Sequence, residues 1–501
     1  MHNLARWAPM LAVFIKLPLC GCSSVASPSP PGVTEPDDAG STEGSSPPLE
    51  AGSADAGPPG AKSWAKRYGG PTFDQGFRIA SDSAGRLTLA GKLGSGVDFG
   101  GGVLPSAGGG DGFVVSLEAD GAHRWSKSFG GSEPDHLDAV NGVAVAPNGR
   151  VLVTGGFSLT MELAGVVHES AGGDDGFVAA LDPEGGALWS KSFGSEGEEL
   201  FRDLAVANDG SVWITGAIGG PVDFGGGALD PPSLVSAFVA KLAPDGAHVF
   251  SRSFGSKVVC LATGVAVNEA GAGFLVGHFD GTADFGGGAL TSAGLDDAFV
   301  TALDPEGAEL WSARIGGPGA DGAYAVAPMS GGGVVVAGKF QETVEIGGQK
   351  LTSAGSNDVL LVVLSKSGAP VWARGFGGAA ADRAWTVAAD PSSVVVGGYV
   401  TGAVDFGGGV LGQPEVVNAF VARYSNAGEY LDARVFQVSA KLPSGGLGSV
   451  SLALGVFGVA LAPNGAANLT GAFRDTTDAF GAALVSSGDS DVFVARWEPS
   501  P

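Results

Sequence analysis

Residues 111–131 read Asp111-Gly112-Phe113-Val114-Val115-Ser116-Leu117, then Asp120-Gly121, then Trp125-Ser126-Lys127-Ser128-Phe129-Gly130-Gly131. The first aromatic position of this stretch recurs with gaps of 64, 61, 61, 61, 60 and 73 residues, at Phe113, Phe177, Phe238, Phe299, Leu360, Phe420 and Phe493. The second aromatic position keeps the same phase, at Trp64, Trp125, Trp189, Phe250, Trp311 and Trp372, with a degraded copy at Leu431. Two independent markers with one period show a true repeat of about sixty residues, present seven times.

Each repeat contains short apolar runs on either side of tight turns. Residues 143–146 and 151–154 flank Pro147-Asn148-Gly149, and residues 177–181 and 188–193 flank Asp182-Pro183-Glu184-Gly185. Turns of this composition between apolar runs are typical of β-hairpins. No segment of the repeat has the 3.6-residue apolar period of a helix. Each repeat therefore predicts four short antiparallel strands.

The two ends of the repeat array complement each other. The array begins with an isolated tryptophan strand at residues 64–68 and ends on a phenylalanine strand at residues 491–497. The first strand can supply what the last repeat lacks, and closure of a ring removes unpaired sheet edges. We therefore predict an all-β fold, a seven-bladed β-propeller of four-stranded antiparallel blades, closed by the N- and C-terminal strands in one blade. In the seventh blade, residues 437–450 are expected to form a longer loop.

Charge restricts the class of partner. The chain has 27 basic and 52 acidic residues, a net charge of −25. Such a surface repels phosphate backbones, so we expect no nucleic-acid partner.

The amino terminus has the pattern of a targeting segment. Arg6 precedes an apolar run at residues 7–19, which leads into Leu19-Cys20-Gly21-Cys22-Ser23. This pattern resembles a bacterial lipoprotein signal, and the resemblance implies that Cys22 carries the lipid. Ordinary secretion and a mis-assigned start are the alternatives. The run is too short for a transmembrane helix and contains Lys16.

These patterns divide the chain into three parts. Residues 1–22 are predicted to be the signal peptide, residues 23–61 a disordered tether rich in Pro, Ser, Gly, Ala and acidic residues, and residues 62–501 the propeller. The lipoprotein resemblance implies a location in the cell envelope, at the outer membrane or cell surface, with secretion as the alternative. The membrane is then a partner through the lipid anchor, and we expect a monomer.

The sequence contains no clear motif for a metal site, a cofactor site or a reactive cysteine. The Asp-Phe-Gly sequence at Asp98 recurs with an acid in most repeats, but one acid per blade cannot supply the oxygens that calcium needs, so turns are favoured. The six histidines show no metal-ligand spacing. We expect no metal and no cofactor. Cys260, in an apolar setting, is predicted to be a buried and inert thiol.

The repeated tryptophan that follows an Asp-Gly turn has two possible roles. Asp120-Gly121 and Trp125 resemble the aspartate box of sialidases and the tryptophan-docking motif of quinoprotein dehydrogenases, although neither pattern is reproduced residue for residue. Both devices use an aromatic ring to hold neighbouring structure together. Because nearly every repeat carries the pair, we predict a packing role.

A site is expected where the repeats differ. After the glycine of the second strand, Lys92, His278 and Lys339 are polar; the sequence alignment places Gly156, Ala217, Gly398 and Ala472 at the same position in the other repeats. In the first strand, the alignment places Tyr324 and Trp385 where other repeats have Ile79, Val143, Leu204, Val265 and Val459. These five side chains, Lys92, His278, Lys339, Tyr324 and Trp385, are our candidate ligand-binding residues at a channel mouth, where aromatic rings could stack on a sugar. Exposed strand ends that vary without function are the structural alternative.

The repeat as a whole resembles a known family. The phenylalanine-valine strand, the Asp-Pro-Glu-Gly turns at residues 182–185 and 304–307, and the Trp-Ser-Lys-Ser-Phe-Gly runs at Trp125 and Trp189 resemble the β-propeller repeat called SBBP of bacterial surface proteins and lipoproteins. The resemblance covers roughly residues 62–497. It implies display at the cell surface and brings no agreed catalytic residues.

Two functions follow as hypotheses. The first is a non-catalytic, lipid-anchored module that binds or adheres to an envelope protein or polysaccharide. The second is an extracellular glycan-active enzyme, a lyase or hydrolase that uses the central channel. An enzyme requires two acids, or a Tyr, His and Lys set, that converge from different blades. The near-uniform repeats favour the binding module.

Overall fold

The computed structural model describes residues 63–106, 108–131, 138–163, 165–439 and 454–498. Within these ranges the chain forms seven four-stranded antiparallel sheets and no helix. The first strand of each sheet contacts the first strand of the next, and the seventh returns to the first. The predicted seven-bladed propeller is therefore confirmed, with the first strands innermost around a central channel. No helix in these ranges is long and apolar enough to cross a membrane.

The strands of blades 1 to 4 are given from the innermost to the outermost. Blade 1 contains Asp74–Ser81, Leu87–Leu93, Asp111–Leu117 and His123–Phe129. Blade 2 contains Ala139–Val145, Val151–Phe157, Asp175–Leu181 and Ala187–Phe193. Blade 3 contains Glu199–Val206, Val212–Ile218, Ser236–Leu242 and His248–Phe254. Blade 4 contains Cys260–Val267, Gly273–Asp284, Ala289–Leu303 and Glu309–Ile315.

The strands of blades 5 to 7 follow the same order. Blade 5 contains Gly322–Pro328, Val334–Phe340, Asp358–Leu364 and Pro370–Phe376. Blade 6 contains Arg383–Ala389, Ser393–Thr401, Val417–Ser425 and Tyr430–Ser439. Blade 7 contains Gly455–Leu461, Ala467–Phe473, Asp491–Trp497 and, as its outermost strand, Trp64–Tyr68.

A small hairpin joins the second and third strands of each blade. In blades 1, 2, 3, 5, 6 and 7 it is a separate two-stranded ribbon: Val97–Asp98 with Val103–Leu104, Thr160–Leu163 with Val166–Glu169, Val222–Asp223 with Ala228–Leu229, Thr343–Ile346 with Gln349–Thr352, Val404–Asp405 with Val410–Leu411, and Thr476–Ala479 with Ala482–Val485. In blade 4 the hairpin is continuous with the two long central strands. Asp98 Oδ1 accepts hydrogen bonds from the N–H groups of Gly100 at 2.7 Å and Gly102 at 3.0 Å. The turn role of the Asp-Phe-Gly sequence is thereby confirmed.

The ring is closed by the first strand of the propeller. Strand Trp64–Tyr68 pairs antiparallel with Asp491–Trp497, as predicted. An ion pair supports this junction, because Arg67 Nη1 lies 2.7 Å from Asp491 Oδ2. The predicted loop at 437–450 is wrong at its start, since Gln437 still pairs with Asn418 inside the outer strand. Residues 440–450 lie outside the described residues.

The core lies between the blades. The described residues form seven apolar clusters, one for each contact between neighbouring blades. In one cluster the ring of Phe238 lies 4.8 Å from that of Phe201 and 5.1 Å from that of Phe224. Cys260 belongs to another cluster and is fully buried, and burial raises the pKa of its thiol to about 12. The prediction of a buried, inert thiol is confirmed.

The repeated tryptophans hold each blade to the next. Trp125 Nε1 donates to the carbonyl oxygen of Pro183 at 3.0 Å, in the outer turn of the following blade. A Cβ atom on Gly185 of that turn would lie 2.7 Å from Cδ2 of the Trp125 ring, so only glycine fits there. Trp189 repeats the arrangement, with its Nε1 donating to the carbonyl oxygen of Pro244 at 3.0 Å. The predicted packing role is confirmed.

Candidate functional site

Every innermost strand contains a β-bulge at the same place. The pairing of the first two strands skips one residue in each blade, and these residues are Phe77, Asn141, Arg202, Thr263, Tyr324, Trp385 and Phe457. A bulge removes one residue from the ladder and re-aims its side chain. Because the innermost strands surround the channel, the seven bulged residues form a ring around it, which we call the channel ring.

The channel ring has an aromatic arc and a polar arc. Blades 5, 6, 7 and 1 contribute Tyr324, Trp385, Phe457 and Phe77, and successive ring centroids lie 5.2, 6.2 and 6.3 Å apart. Blades 2, 3 and 4 contribute the polar arc, Asn141, Arg202 and Thr263. Two of the polar side chains bond to the neighbouring blade: Asn141 Nδ2 donates to the Phe201 carbonyl at 2.9 Å, and Thr263 Oγ1 to the Ala323 carbonyl at 2.7 Å.

The strand pairing corrects two alignments made from the sequence. Tyr324 and Trp385 do not share a position with Ile79 and its apolar equivalents, because those correspond to Val326 and Val387. The alignment made from the sequence is therefore two residues out of register at Tyr324 and Trp385. In the second strand of blade 6, Gly398 pairs with Phe420 as the repeated glycine does elsewhere, so Tyr399 rather than Gly398 is the equivalent of Lys92, His278 and Lys339.

Four of the five candidate residues come together at one end of the channel. His278 and Tyr324 approach each other across Gly322, since a Cβ atom on Gly322 would lie 3.3 Å from the Tyr324 hydroxyl oxygen and 3.8 Å from the His278 Cβ. Trp385 lies beside Tyr324, and the Lys339 ammonium lies close enough to lower the pKa of His278. The fifth candidate is elsewhere: Lys92 Nζ in blade 1 lies 5.1 Å from the ring centroid of Phe73.

Arg383, which the sequence reasoning missed, lies over the rings of two aromatic side chains, Tyr324 and Trp385. Its guanidinium carbon is 4.8 Å from the ring centroid of Tyr324 and 4.7 Å from that of Trp385. The side chain is only 8 % exposed, yet among the described residues it makes no ion pair and donates no hydrogen bond. The two aromatic faces attract the cation but leave its N–H groups available.

Two further cations face the same end of the channel without a partner. Arg202, from blade 3, and Lys339, from blade 5, form no ion pair or hydrogen bond within the described ranges. Burial lowers the pKa of Arg202 to about 10, and burial together with the Arg383 charge lowers the pKa of Lys339 to about 8. We call Arg202, Lys339 and Arg383 the cation cluster.

His278 lies within electrostatic range of all three members of the cation cluster. Burial first, and then the charges of Lys339, Arg383 and Arg202, lower the pKa of His278 to about 4. The imidazole is therefore neutral near pH 7. Its Nδ1 is buried and has no hydrogen-bond partner among the described residues. Trp385 Nε1 is in the same state.

One carboxylate beside the cluster is also unpartnered. Asp296, in blade 4, makes no side-chain hydrogen bond to any described residue, and burial followed by the charge of Asp280 raises its pKa. It contrasts with Asp321, whose carboxylate accepts from the N–H groups of Gly317 at 2.7 Å and Gln341 at 2.9 Å. Asp321 holds two loops together, whereas the Asp296 oxygens remain available.

Comparison of the repeats could have identified two of the site residues that the sequence reasoning missed, Arg383 and Arg202. Arg383 stands where other blades have Gln75, Ala139, Leu200, Leu261, Gly322 and Gly455, and Arg202 is the one charged residue of the channel ring. Both departures are visible once the bulge fixes the alignment. Nothing in the sequence indicates that these charges lack a partner, because that depends on contacts between blades.

The other end of the channel has a different lining. A depression of about 680 Å³ lies there between the first turns of blades 1, 6 and 7, lined by residues 81–83, 389–392 and 461–465. Both of its acids already accept hydrogen bonds: Asp390 from the N–H groups of Ser392 and Ser393, each at 2.7 Å, and Asp82 from those of Ala84 at 2.9 Å and Arg86 at 2.8 Å. Within the described ranges, no group of three or more His, Cys, Asp or Glu side chains could hold a metal ion. The cation cluster and Asp296 lie instead at the end where the innermost strands begin, which we call the channel mouth.

Comparison with known proteins yields the fold alone. No family model matches the chain, and no curated protein matches it either, so the SBBP resemblance stays a prediction. Among solved structures, the chain is similar to Sqt1 from Chaetomium thermophilum (12 % identity, TM-score 0.40, 86 % of this chain and 98 % of that one). It is also similar to YCF48 bound to D1 peptide (8 %, TM-score 0.38, 88 % and 96 %) and to puromycin hydrolase (13 %, TM-score 0.34, 80 % and 58 %). At such identities and scores these similarities carry no argument about function.

Proposed function

We propose that the chain is a non-catalytic binding propeller of the cell envelope, anchored by a lipid on Cys22 through the tether at residues 23–61. Its ligand site is the channel mouth, where it captures an anionic group of an envelope polysaccharide or protein. The SBBP-like repeat and the lipoprotein-like amino terminus support the location. The channel mouth supports the binding role.

One observation carries the binding site: three cations meet at the channel mouth without an ion pair or hydrogen bond to any described residue, although Asp296 lies within electrostatic range of Lys339. A buried or half-buried charge without a partner costs free energy, which a folded protein ordinarily avoids by pairing or by substitution. The chain has 52 acidic residues, so pairing partners are abundant. Cations kept unpaired in such a chain are explained by an anion that arrives from outside.

Co-sedimentation with envelope material tests this proposal. The full-length chain, the double variant Arg383→Met with Lys339→Met, and the control Lys350→Met are each incubated with envelope polysaccharide and protein extract. Lys350 is an exposed lysine on the ribbon of blade 5, so the control removes a charge without touching the channel mouth. We expect retention by the wild type and the control and loss of retention in the double variant. Equal retention by all three proteins would contradict the proposal.

A second function is favoured by one specific observation. Tyr324 and His278 flank Gly322 from different blades, and Lys339 lies within electrostatic range of His278, which is the Tyr, His and Lys set that an enzyme would need. A lyase or hydrolase would shorten the glycan chains in the same incubation, and Tyr324→Phe would stop the shortening by removing one hydroxyl. Retained glycan of unchanged length supports the binding module instead.

A further inference from the structure

The channel mouth offers more than positive charge, and its other groups restrict the chemistry of the ligand. The ligand class rests on the proposed binding function. Three features have to be satisfied together by one ligand: the cation cluster, an unpartnered carboxylate, and a row of aromatic rings.

The cation cluster suits a carboxylate. A guanidinium presents its N–H donors in a planar fork that matches the two oxygens of a carboxylate. The Arg383 guanidinium lies over the rings of Tyr324 and Trp385, at 4.8 and 4.7 Å from their centroids, and these contacts hold it in place before any ligand arrives. Because the side chain is more than nine-tenths buried and donates no hydrogen bond to a described residue, its donors remain for a ligand.

Asp296 distinguishes between anions. Its free carboxylate lies within electrostatic range of Lys339 and Tyr324. Asp296 would repel a doubly charged phosphate beside Lys339 more strongly than a singly charged carboxylate, and a hydroxyl group would donate a hydrogen bond to Asp296. The unpartnered Nδ1 of His278 and Nε1 of Trp385 add further sites for hydroxyl groups. The ligand should therefore carry one carboxylate with several hydroxyl groups nearby.

The aromatic arc supplies the third requirement. Tyr324, Trp385, Phe457 and Phe77 form a continuous row over four blades, starting at the cation cluster and leading away from it. Aromatic rings with a few placed polar groups are typical of small-molecule sites, and the C–H face of a sugar ring can pack on them. The row extends past one sugar ring, so it can hold more than one sugar residue.

We infer that the channel mouth binds an acidic saccharide, with the carboxylate of a uronic acid residue on Arg383 and Lys339, its hydroxyl groups at Asp296, and the next sugar residues along the aromatic arc. An acidic peptide satisfies the cation cluster but supplies no hydroxyl groups for Asp296. Inorganic phosphate is repelled by the carboxylate of Asp296.

Calorimetric titration of the full-length chain tests this inference. The probes are trigalacturonate, the neutral trisaccharide galactotriose, inorganic phosphate and a triaspartate peptide. We expect trigalacturonate to bind at least about ten-fold more tightly than the other three, since galactotriose has no carboxylate, phosphate is repelled by Asp296, and the peptide has no hydroxyl groups for Asp296. Tighter binding of phosphate, of the peptide or of galactotriose would overturn the ligand class.

Two variants separate the contributions. Arg383→Met should weaken trigalacturonate binding by about ten-fold or more, whereas Lys350→Met should not change it. Asp296→Asn should weaken it as well, because a hydroxyl acceptor becomes a poorer one. Stronger binding by Asp296→Asn would mean that this carboxylate only repels the ligand, and would overturn the inference.

The outcome also separates this inference from the function on which it rests. If extract is retained in an Arg383- and Lys339-dependent way but trigalacturonate does not bind, the uronate assignment is wrong and the binding function stands. If neither extract nor trigalacturonate is retained, both are wrong.

Discussion

Trp189 and Trp385 are both tryptophans, but they lie in two different regions of the propeller. Trp189 lies on an outer strand, and its Nε1 donates to the Pro244 carbonyl in the next blade at 3.0 Å. Trp385 lies on an innermost strand, its Nε1 has no partner among the described residues, and a guanidinium stacks on its face. The outer tryptophan recurs in most repeats, whereas the inner one occurs once. For these two side chains, the repeated indole has its hydrogen-bond partner, and the one that departs from the repeat has none among the described residues.

The carboxylates show the same division. Asp382 lies directly before an innermost strand, as Asp138 and Asp321 do in their blades, and accepts hydrogen bonds from the N–H groups of Gly378 and Thr401, both at 2.6 Å. Asp296 accepts none from a described residue. Charge alone therefore does not mark a site in this chain; a charge without a partner does.

The largest expected effect concerns a repeat position. Phe238→Ala should lower the free energy of unfolding by about 3 to 5 kcal/mol, because a fully buried ring that packs on Phe201 and Phe224 leaves a cavity. Ligand affinity of the folded fraction should not change. Chemical denaturation and titration at low temperature measure the two quantities. If the variant folds but no longer binds the ligand, the claim that repeat positions stabilise the fold without contributing to binding is wrong.

Arg383→Met should have the opposite effect to Phe238→Ala: it should lower ligand affinity without lowering the free energy of unfolding. Affinity for an anionic ligand should fall by about ten-fold or more, while the free energy of unfolding stays the same or rises, since an unpaired buried charge is replaced by an apolar chain of similar length. Thermal melting beside calorimetric titration measures both. A loss of stability as large as that of Phe238→Ala would show that Arg383 is a structural residue.

The two tryptophans give a matched pair with a smaller effect. Trp189→Phe should cost about 1 kcal/mol of stability, because the hydrogen bond to the Pro244 carbonyl is lost, and should leave binding intact. Trp385→Phe loses no such bond to a described residue and should affect binding more than stability. If both substitutions lower the free energy of unfolding equally, Trp189 and Trp385 do not differ as a structural and a binding residue.

The smallest expected effect is a dependence of binding on pH. The pKa of Lys339 is lowered to about 8 by burial and by Arg383, while Asp296 and Asp321 act to raise it. Anion affinity should be full below this pKa and decrease as the pH rises through it, because the neutral amine no longer attracts the ligand. His278, with a pKa near 4, stays neutral throughout this range. Lys339→Arg should abolish the decrease; a decrease that persists in that variant would assign the titration to another group.

Much of the architecture could be predicted because it depends on residues that recur at the same position of each repeat. The period, the number of blades, the closing strand and the roles of Trp125 and Asp98 follow from positions that recur. The bulge could not be predicted, because all seven blades carry it and the spacing between repeats is unchanged. The two-residue error in the alignment of Tyr324 and Trp385 became visible only from the strand pairing.

The candidate site could be predicted only in part, for a different reason. His278, Lys339, Tyr324 and Trp385 depart visibly from the repeat, and the structure brings them together. Lys92 departs equally and lies in another blade, beside Phe73. Whether Arg383, Arg202 and Asp296 have partners depends on distances between blades, which spacing along the chain does not contain.

The most direct test of the account restores the repeat at the channel mouth. Blade 2 has Ala139 and Asn141 where blade 6 has Arg383 and Trp385, so the double variant Arg383→Ala with Trp385→Asn makes blade 6 resemble blade 2. Retention of envelope extract and the melting temperature are measured on the same full-length preparation. The account predicts a folded propeller with a nearly unchanged melting temperature and no retention. Unchanged retention would contradict the claim that departures from the repeat form the ligand site.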